Sequence, residues 1–309
     1  MGASQHTESI KSRAAELGFD ACAVAKADTV DSEDFLGQWL ARGYHADMAW
    51  MARTKTIRQD VQTKLPGTRS VVVVARNYNH PRPAAEPGTG RVSRYAWGRD
   101  YHRVLRKPLH SLATHIESLG KNVATYCSID SGPVLEKFWA ARAGIGWIGK
   151  NSLILRQDLG SWFFLGIILT TLELRPDAPM RDFCGACRRC IDACPTNAIV
   201  EPRVVDSRRC ISYHTIENRG DIPGTLRSHL DHWVFGCDIC QEVCPWNSKA
   251  PTTNETDFYP RPNHANLSLE GLEEMTEEEF KDEFEGTPIM RAKLAGMQRN
   301  ARIVRKNQE

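Results

Sequence analysis

The sequence predicts an α+β protein in which helices are layered against strands. Three observations lead to this fold class. Helical and strand-like patterns alternate through residues 1–175, cysteines replace regular patterns at 176–255, and helical segments return at 256–309. We therefore expect a large N-terminal domain at 1–175, a cysteine-rich domain at 176–255 and a short helical tail at 256–309.

The elements of the first domain follow from periodicity and from the residues that end each pattern. The helical patterns end at residues 17, 42 and 119, and a glycine follows each of them. The Val-rich run at 70–75 is typical of a buried strand, 65–67 of a turn, and the Pro- and Gly-rich 80–90 of a loop. The predicted helices are 9–17, 32–42, 100–119 and 133–143, the last with Pro in its first turn, and the predicted strands are 20–25, 70–75, 122–129, 152–155 and 161–171.

Composition excludes several classes of protein. Hydrophobic residues make up 41% of the 309 residues, which is enough for a substantial core. Lys and Arg number 40 against 38 Asp and Glu, so the net charge indicates no particular partner. Residues 1–19 contain no apolar run of signal-peptide length, and the longest apolar run, 162–169, is too short to span a bilayer. We expect a monomer of the reducing cytoplasm without membrane association.

Two linked cysteine patterns carry most of the chemical information. The first, at 184–195, reads C-x2-C-x2-C-x3-C-P, the run in which the fourth cysteine binds the other cluster of a two-cluster ferredoxin. The second, at 237–245, reads C-x2-C-x3-C-P and has Val234 where the first pattern has one more cysteine, so Cys210 is the nearest candidate to complete it. We assign one 4Fe–4S cluster to Cys184, Cys187, Cys190 and Cys244, and the other to Cys194, Cys210, Cys237 and Cys240.

Zinc and disulfides are the alternatives for these cysteines. Structural zinc sites use isolated C-x2-C pairs, whereas here three cysteines follow one another before a Cys-Pro step. Disulfide frameworks belong to small secreted chains. The spacing therefore favours two iron–sulfur clusters, and Cys22 and Cys127, which lie in apolar strand-like runs, are expected to be core thiols.

Asp130 is the candidate catalytic residue outside the clusters. It lies in the turn between a predicted strand and a predicted helix, a place where ligands collect in α/β sheets. If burial raises its pKa towards neutrality, Asp130 can act as a general acid. A helix cap is the alternative role of an aspartate at this position, and the residues alone do not decide between the two.

Two further segments have compositions that suit a bound ligand. Residues 91–102 mix arginines and aromatic residues ahead of a helix, although Asp100 there is also explained as a helix cap. Residues 143–152, A-G-I-G-W-I-G-K-N-S, contain three glycines that permit close approach of backbone to a ligand. Their spacing matches neither G-x-G-x-x-G nor a P-loop, which disfavours a conventional NAD or ATP site.

Taken in this order, the segments resemble the epoxyqueuosine reductase family, cobalamin-dependent iron–sulfur enzymes of queuosine biosynthesis. The resemblance runs from about residue 48 to residue 302. It is carried by M-A-R at 51–53, L-P-G at 65–67, R-Y-A-W-G at 94–98, D-Y-H at 100–102, D-S-G-P-V-L-E-K at 130–137, A-G-I-G-W at 143–147, G-K-N at 149–151, and both cysteine runs through C-P-W-N at 244–247.

The resemblance implies a nitroreductase-like cobalamin domain at 1–175, a two-cluster ferredoxin-like domain at 176–255, and a shortened HEAT-like tail. It also implies reduction of epoxyqueuosine to queuosine at the wobble position of tRNA, with electrons from a flavodoxin- or ferredoxin-type donor passing through the clusters to cobalamin. Asp130 matches the family's proton donor. The residues that the resemblance places beside cobalamin are Arg58, Ser93, Asp130, Gly146, Gly149, Lys150, Asn151 and Ser152.

The tail has an acidic segment at 270–285 and a basic one at 291–306. The basic segment is expected either to contact tRNA phosphates or to form a solvated helix face. Two other functions compete with tRNA modification: a corrinoid reductive dehalogenase acting on a small molecule, and a ferredoxin-type electron carrier without enzymatic activity. Bound cobalamin separates the carrier from the two enzymes, and activity on tRNA separates the enzymes from each other.

Overall fold

The computed structural model describes residues 2–28 and 34–309. Within them the α-helices are α1 (Ala3–Glu16), α2 (Phe35–Ala41), α3 (Ala49–Arg53), α4 (Lys55–Gln59), α5 (Tyr101–Ser118), α6 (Glu136–Ala143), α7 (Arg189–Asp192), α8 (Ile211–Ile216), α9 (Gly224–Arg227), α10 (Ile239–Glu242), α11 (Leu269–Glu274), α12 (Glu277–Phe284) and α13 (Lys293–Gln308). The strands are β1 (Ala21–Lys26), β2 (Ser70–Asn77), β3 (Thr89–Val92), β4 (Thr125–Ser128), β5 (Trp147–Ile148), β6 (Ile154–Leu155), β7 (Phe163–Thr170), β8 (Ile199–Glu201), β9 (Val204–Val205), β10 (Trp233–Phe235) and β11 (Asn266–Ser268).

A four-stranded antiparallel sheet of order β1-β2-β7-β4 organises the N-terminal part. Its central strands are apolar on both faces because helices cover both. Val72 and Val74 face the helices α1 and α5, whereas Val71 and Val73 face α6. The predicted layering of helices on strands is therefore confirmed, and successive valines of β2, all buried, alternate between the two helical layers.

Several predicted boundaries differ from the structure. The first helix begins at Ala3 instead of residue 9, and β4 begins at Thr125 instead of residue 122. Pro133 lies before α6 and not in its first turn, because the chain from 129 to 135 is used for a turn and the helix begins only at Glu136. The described part of the predicted helix 32–42 is α2, and residues 32 and 33 lie outside the described residues.

A second sheet joins the three predicted regions of the chain. Strand β3, from the N-terminal region, pairs in parallel with β10 from the cysteine-rich region and antiparallel with β11 from the tail. Trp97, Trp233 and Phe284, one from each region, are fully buried in the core beneath this sheet. The division at residues 175 and 255 stays a prediction, and the regions share one hydrophobic core.

The tail is fixed to the cysteine-rich region by a buried polar contact. Asn300, in the middle of α13, has no exposed surface. Its amide donates hydrogen bonds of 3.0 Å to the Thr215 carbonyl and 2.8 Å to the Val234 carbonyl. These bonds satisfy groups that would otherwise be buried without partners. No helix in the described part of the chain has the length and apolar character needed to cross a bilayer.

Candidate active site and cysteine clusters

The turn that follows β4 holds Asp130 in an unusual conformation. Asp130 has a φ of 56°, in the left-handed region that aspartate tolerates better than most residues do. Its N–H donates to Glu136 Oε1 at 2.6 Å, and the Ser128 hydroxyl donates to the same oxygen at 3.3 Å. Glu136 is the first residue of α6. The glutamate therefore holds both ends of the Asp130 turn.

The Asp130 carboxylate lies beside the first turn of α5. The side chain is 65% exposed, and Tyr101 Oη donates a hydrogen bond of 2.6 Å to Asp130 Oδ2. Tyr101 is itself fixed by stacking on Phe164, with ring centroids 4.3 Å apart. His102 Nε2 lies 3.9 Å from the same Oδ2, and His102 Nδ1 lies 2.8 Å from Asp100 Oδ1. Two aromatic side chains of α5 thus face one oxygen of the carboxylate.

The two aspartates differ in how they relate to the following helix. Asp100 caps α5, because its carboxylate accepts the His102 N–H at 2.9 Å, so the capping interpretation is confirmed there. Asp130 does not cap α6: the N-cap residue is Leu135, and no side chain bonds the first turn. The capping alternative for Asp130 is therefore wrong, which leaves its carboxylate available for chemistry.

The charges around Asp130 perturb one another. Burial, and then the Asp130 charge, raises the pKa of Glu136 to about 8. Burial raises the pKa of Tyr101 far above its ordinary value, so this phenol keeps its proton. Although burial opposes it, the Asp100 contact raises the pKa of His102. Sequence reasoning assigned no role to these three neighbours, although all lie in the D-Y-H and D-S-G-P-V-L-E-K segments.

Lys137 connects the Asp130 turn to the cysteines. Its ammonium donates to the Ser152 carbonyl at 2.9 Å and interacts electrostatically with Asp130 on one side and with Cys210 and Cys240 on the other. The side chain is open to solvent, yet the surrounding protein lowers the pKa of Lys137 by desolvation. We call the solvent-open surface around Lys137, between the Asp130 turn and these two cysteines, the cleft.

Two of the residues predicted to lie beside cobalamin have different surroundings. Arg58 donates to the Val134 carbonyl at 3.2 Å and interacts with the charges of Asp130 and Glu136, so it borders the cleft. Ser93 is only 2% exposed, and a Cβ added to Gly236 would collide with its hydroxyl. Ser93 therefore packs against backbone of the cysteine-rich region.

The predicted loop at 146–152 braces both cysteine runs. Lys150 Nζ donates to the Gly185 and Cys187 carbonyls at 2.7 and 2.8 Å, and Asn151 Nδ2 donates to the Cys240 carbonyl at 3.4 Å. Two glycines of this loop allow it to pack closely against β6. A Cβ on Gly146 would collide with the Leu155 carbonyl, and one on Gly149 would press on the Leu155 side chain. Ser152, with a φ of 63°, donates to the Arg203 carbonyl at 2.6 Å.

The seven cysteines of the two runs and Cys210 lie close enough to interact, both within and between the two predicted sets. The charges of Cys184, Cys187 and Cys244 all act on Cys190, and those of Cys210, Cys190 and Cys194 act on Cys240, so the two predicted sets are close neighbours. Cys237 completes the second set through its interactions with Cys210 and Cys240. The sets are Cys184, Cys187, Cys190 and Cys244, and Cys194, Cys210, Cys237 and Cys240.

The cysteines are not arranged around a single metal ion. No group of three or more Cys, His, Asp or Glu side chains among the described residues is arranged to hold one metal ion. In a 4Fe–4S cube each thiolate binds a different iron, so its ligands stand further apart than those of one zinc ion. Cys22 and Cys127 lie apart from both sets against the core beside α5, where burial raises the pKa of Cys22 to about 12.

A buried ionic network positions the second cysteine run. Asp238, only 4% exposed, lies between Cys237 and Cys240 and pairs with Arg82 at 2.7 Å and Arg94 at 3.3 Å. Arg94 also pairs with Glu242 of α10 at 2.8 Å. Arg94, in the segment predicted to suit a ligand, is therefore engaged with the cysteine-rich region.

The basic tail forms a pocket of about 490 Å³ at the start of α13. Its lining includes Arg219, Lys293, Arg299 and Arg302 with one acid, Asp221. Burial, and then the charge of Arg219, lowers the pKa of Arg299. The pocket adjoins the cleft through Arg291, whose carbonyl accepts from Arg219 and whose guanidinium interacts with Asp130.

Comparison with known proteins agrees with this arrangement. Residues 58–131 match the family model "Epoxyqueuosine reductase QueG, DUF1730", and residues 183–247 match the "4Fe-4S double cluster binding domain". An epoxyqueuosine reductase of Gloeobacter violaceus is 47% identical over 300 residues, covering 95% of this chain and 93% of the relative. This chain belongs to the epoxyqueuosine reductase family. An Aliivibrio fischeri epoxyqueuosine reductase is 42% identical, covering 91% of this chain and 77% of its own.

Solved epoxyqueuosine reductases share the fold. A crystal structure of one with an epoxyqueuosine-modified tRNA-Tyr stem loop matches with a TM-score of 0.90 and 31% identity, covering 98% of this chain and 82% of that one. A Bacillus subtilis epoxyqueuosine reductase with its catalytic aspartate loop swung out of the active site matches equally well. The chain is thus an oxidoreductase of tRNA modification in a family that depends on cobalamin and carries two 4Fe–4S clusters, and the carrier and dehalogenase alternatives are not supported.

Proposed function

We propose that the cleft between the Asp130 turn and the second cysteine set is where this chain reduces epoxyqueuosine to queuosine at the wobble position of tRNA, with Asp130 as the proton donor. The position of Lys137 carries this proposal, because its charge acts on Asp130 and on Cys210 and Cys240. A substrate in the cleft is then adjacent to both a proton source and an electron source.

The residues present fit both cofactors of the family. The two four-cysteine sets supply the thiolate ligands of two 4Fe–4S clusters, as the sequence predicts. The cleft is open to solvent at Lys137, and the polar and charged side chains of Arg58, Asp130 and Ser152 border it, which suits a large polar group. Cobalamin bound there supplies a low-potential cobalt centre that reduces the epoxide. Ser93, Gly146, Gly149, Lys150 and Asn151 remain proposed cofactor neighbours.

The chain's own residues orient and protonate the substrate. Glu136 fixes the Asp130 backbone, and Tyr101 holds Asp130 Oδ2. Oδ1 accepts no hydrogen bond from the part of the chain that the structure describes, so it is free to face the epoxide oxygen. The Asp130 side chain is 65% exposed. The burial that raises the pKa of a general acid must therefore come from the bound cofactor and from the tRNA nucleobase in the cleft.

The tRNA would present the modified base by flipping it out of the anticodon loop. The basic pocket at α13 offers Lys293 and Arg302 to the backbone phosphates beside the cleft. Other basic residues of the tail pair within the chain, Arg291 with Glu217 and Arg305 with Glu273. We further propose a nitroreductase-like fold for 1–175, a ferredoxin-like fold for 176–255 and a HEAT-like tail, and a cytoplasmic monomer that receives electrons from a flavodoxin- or ferredoxin-type donor.

The test is anaerobic reconstitution with iron, sulfide and cobalamin, followed by incubation with epoxyqueuosine-containing tRNA and a chemical reductant. Nucleoside mass spectrometry should show loss of one oxygen. We expect Asp130→Asn to bind both cofactors normally and to lose about 10²–10⁴-fold in turnover. Asp282→Asn, an exposed surface aspartate, is the matched control. Normal turnover by Asp130→Asn would remove the proton-donor role.

A further inference from the structure

The start of α5 places a second proton-carrying group beside Asp130. Asp100 Oδ1 contacts His102 Nδ1 at 2.8 Å, and His102 Nε2 faces Asp130 Oδ2 at 3.9 Å. The three side chains form a line from an aspartate, through an imidazole, to the catalytic carboxyl. A distance of 3.9 Å is just beyond a direct hydrogen bond, and a small side-chain rotation or one water closes it.

The reaction in the proposed function needs more protons than Asp130 holds. Converting an epoxide to an alkene breaks two carbon–oxygen bonds, forms a carbon–carbon double bond and releases the oxygen as water. This consumes an electron pair, supplied by the reductant through the clusters, and two protons. Asp130 becomes a carboxylate after delivering the first proton to the oxygen and must regain a proton before the second delivery.

We propose that His102, held by Asp100, returns a proton to Asp130 between the two deliveries. The imidazolium Nε2–H bond breaks and the Asp130 Oδ2–H bond forms, which leaves His102 neutral. Rotation of the exposed carboxyl group about its Cβ–Cγ bond then presents this proton to the substrate. His102 then takes a proton from solvent, to which its side chain is 38% exposed. Asp100 accepts the hydrogen bond of Nδ1–H throughout, which keeps Nε2 directed at Asp130. The proposal rests on the proposed function of the cleft.

The neighbouring groups are less suited to this task. Tyr101 contacts Asp130 Oδ2 directly, but burial raises the pKa of Tyr101 so far that the phenol does not release its proton. Glu136 contacts the Asp130 backbone N–H and not its carboxylate. The acidic groups whose charges act on His102 are Asp100, Asp130 and Glu136, and together they raise the pKa of His102. The imidazole therefore stays protonated to a higher pH than a free histidine.

Two variants separate the relay from a structural role. In Asp100→Asn the amide oxygen still caps α5, but the negative charge facing His102 is lost. We expect the basic limb of the turnover–pH profile to move to lower pH in this variant, since its His102 loses its proton earlier. In His102→Gln we expect turnover to fall by about 10²-fold, with tRNA affinity and cofactor content unchanged. His110→Gln, on the exposed side of the same helix, is the control.

Two further readouts distinguish loss of the relay from a general loss of structure. Imidazole added to His102→Ala should restore part of the turnover, since this site is accessible to solvent. An NMR titration of ring-labelled histidine should show the pKa of His102 falling in Asp100→Asn without any substrate present. An unchanged pH profile in Asp100→Asn, or normal turnover in His102→Gln, would overturn the relay. Both outcomes require that the wild-type enzyme is active on tRNA in the same assay. An inactive wild type would count against the proposed function and not against the relay.

Discussion

Glu136→Gln is expected to remove a pH-dependent weakness of the folded state. Glutamine keeps an oxygen that accepts the Asp130 N–H but does not titrate. In the wild type the pKa of Glu136 is raised from 4.5 to about 8 by burial and by the Asp130 charge. Between these values the folded protein holds a proton that the unfolded chain has released, so the free energy of unfolding falls as pH rises. The decline is about 1.4 kcal/mol per pH unit and on the order of 5 kcal/mol at most.

Thermal unfolding at pH 5.5, 7 and 8.5, at matched cofactor loading, measures this effect. Wild type and Glu136→Gln should have similar Tm values at pH 5.5, and the variant should become the more stable as pH rises, by roughly 2 °C for each kcal/mol. Glu8→Gln, an exposed glutamate of α1, should follow the wild type at every pH. A difference between Glu136→Gln and wild type that does not change with pH would refute the reasoning.

Three other perturbations test the remaining parts of the structure. Cys210→Ala should lower the iron content from about eight to about four per chain, whereas Cys127→Ala should leave it unchanged. The same iron content in Cys210→Ala as in the wild type would contradict the assignment of Cys210 to the second cluster. Asn300→Ala should destabilise the fold by about 2 kcal/mol in thermal unfolding, because two buried carbonyls lose their donor; a Tm within error of wild type would show that water replaces the amide. Arg302→Glu should weaken tRNA binding and reduce the slope of the logarithm of the binding constant against the logarithm of salt concentration by about 1 or more. Arg13→Glu on α1 should change neither. An unchanged slope in Arg302→Glu would exclude the basic pocket from the tRNA interface.

Local patterns predicted the parts of the fold that local physics determines. The Val-rich strand β2 and the capped helix α5 follow from periodicity and from the Asp100 cap, and both are confirmed. The Pro133 prediction was wrong because a proline suits a turn as well as a helix start. The chain used 129–135 to give Asp130 its left-handed conformation, which a sequence pattern does not encode.

In the candidate site too, local patterns predicted some residues, while others depend on contacts that form only in the folded chain. Spacing made the cysteines candidate ligands. The turn between strand and helix made Asp130 a candidate acid, and the resemblance matched it to the family's proton donor. The contacts of Glu136 and His102 with Asp130 join residues whose relation depends on how α5 and α6 pack against the sheet. The role of 146–152 was also hidden, since Lys150 and Asn151 reach carbonyls of the cysteine runs 35 to 89 residues away in sequence. Such contacts arise only when the chain has folded.

The pairing of β3 has a consequence for synthesis of the protein on the ribosome. The four-stranded sheet can close once residue 170 has emerged, but β3 must wait for partners at 233–235 and 266–268. Until then Trp97 and the apolar residues around it have no core to enter, because most of that core comes from later residues. The cysteine runs are therefore translated before the tail helices that complete their surroundings, so the cysteine-rich region cannot reach its final packing until the chain is finished.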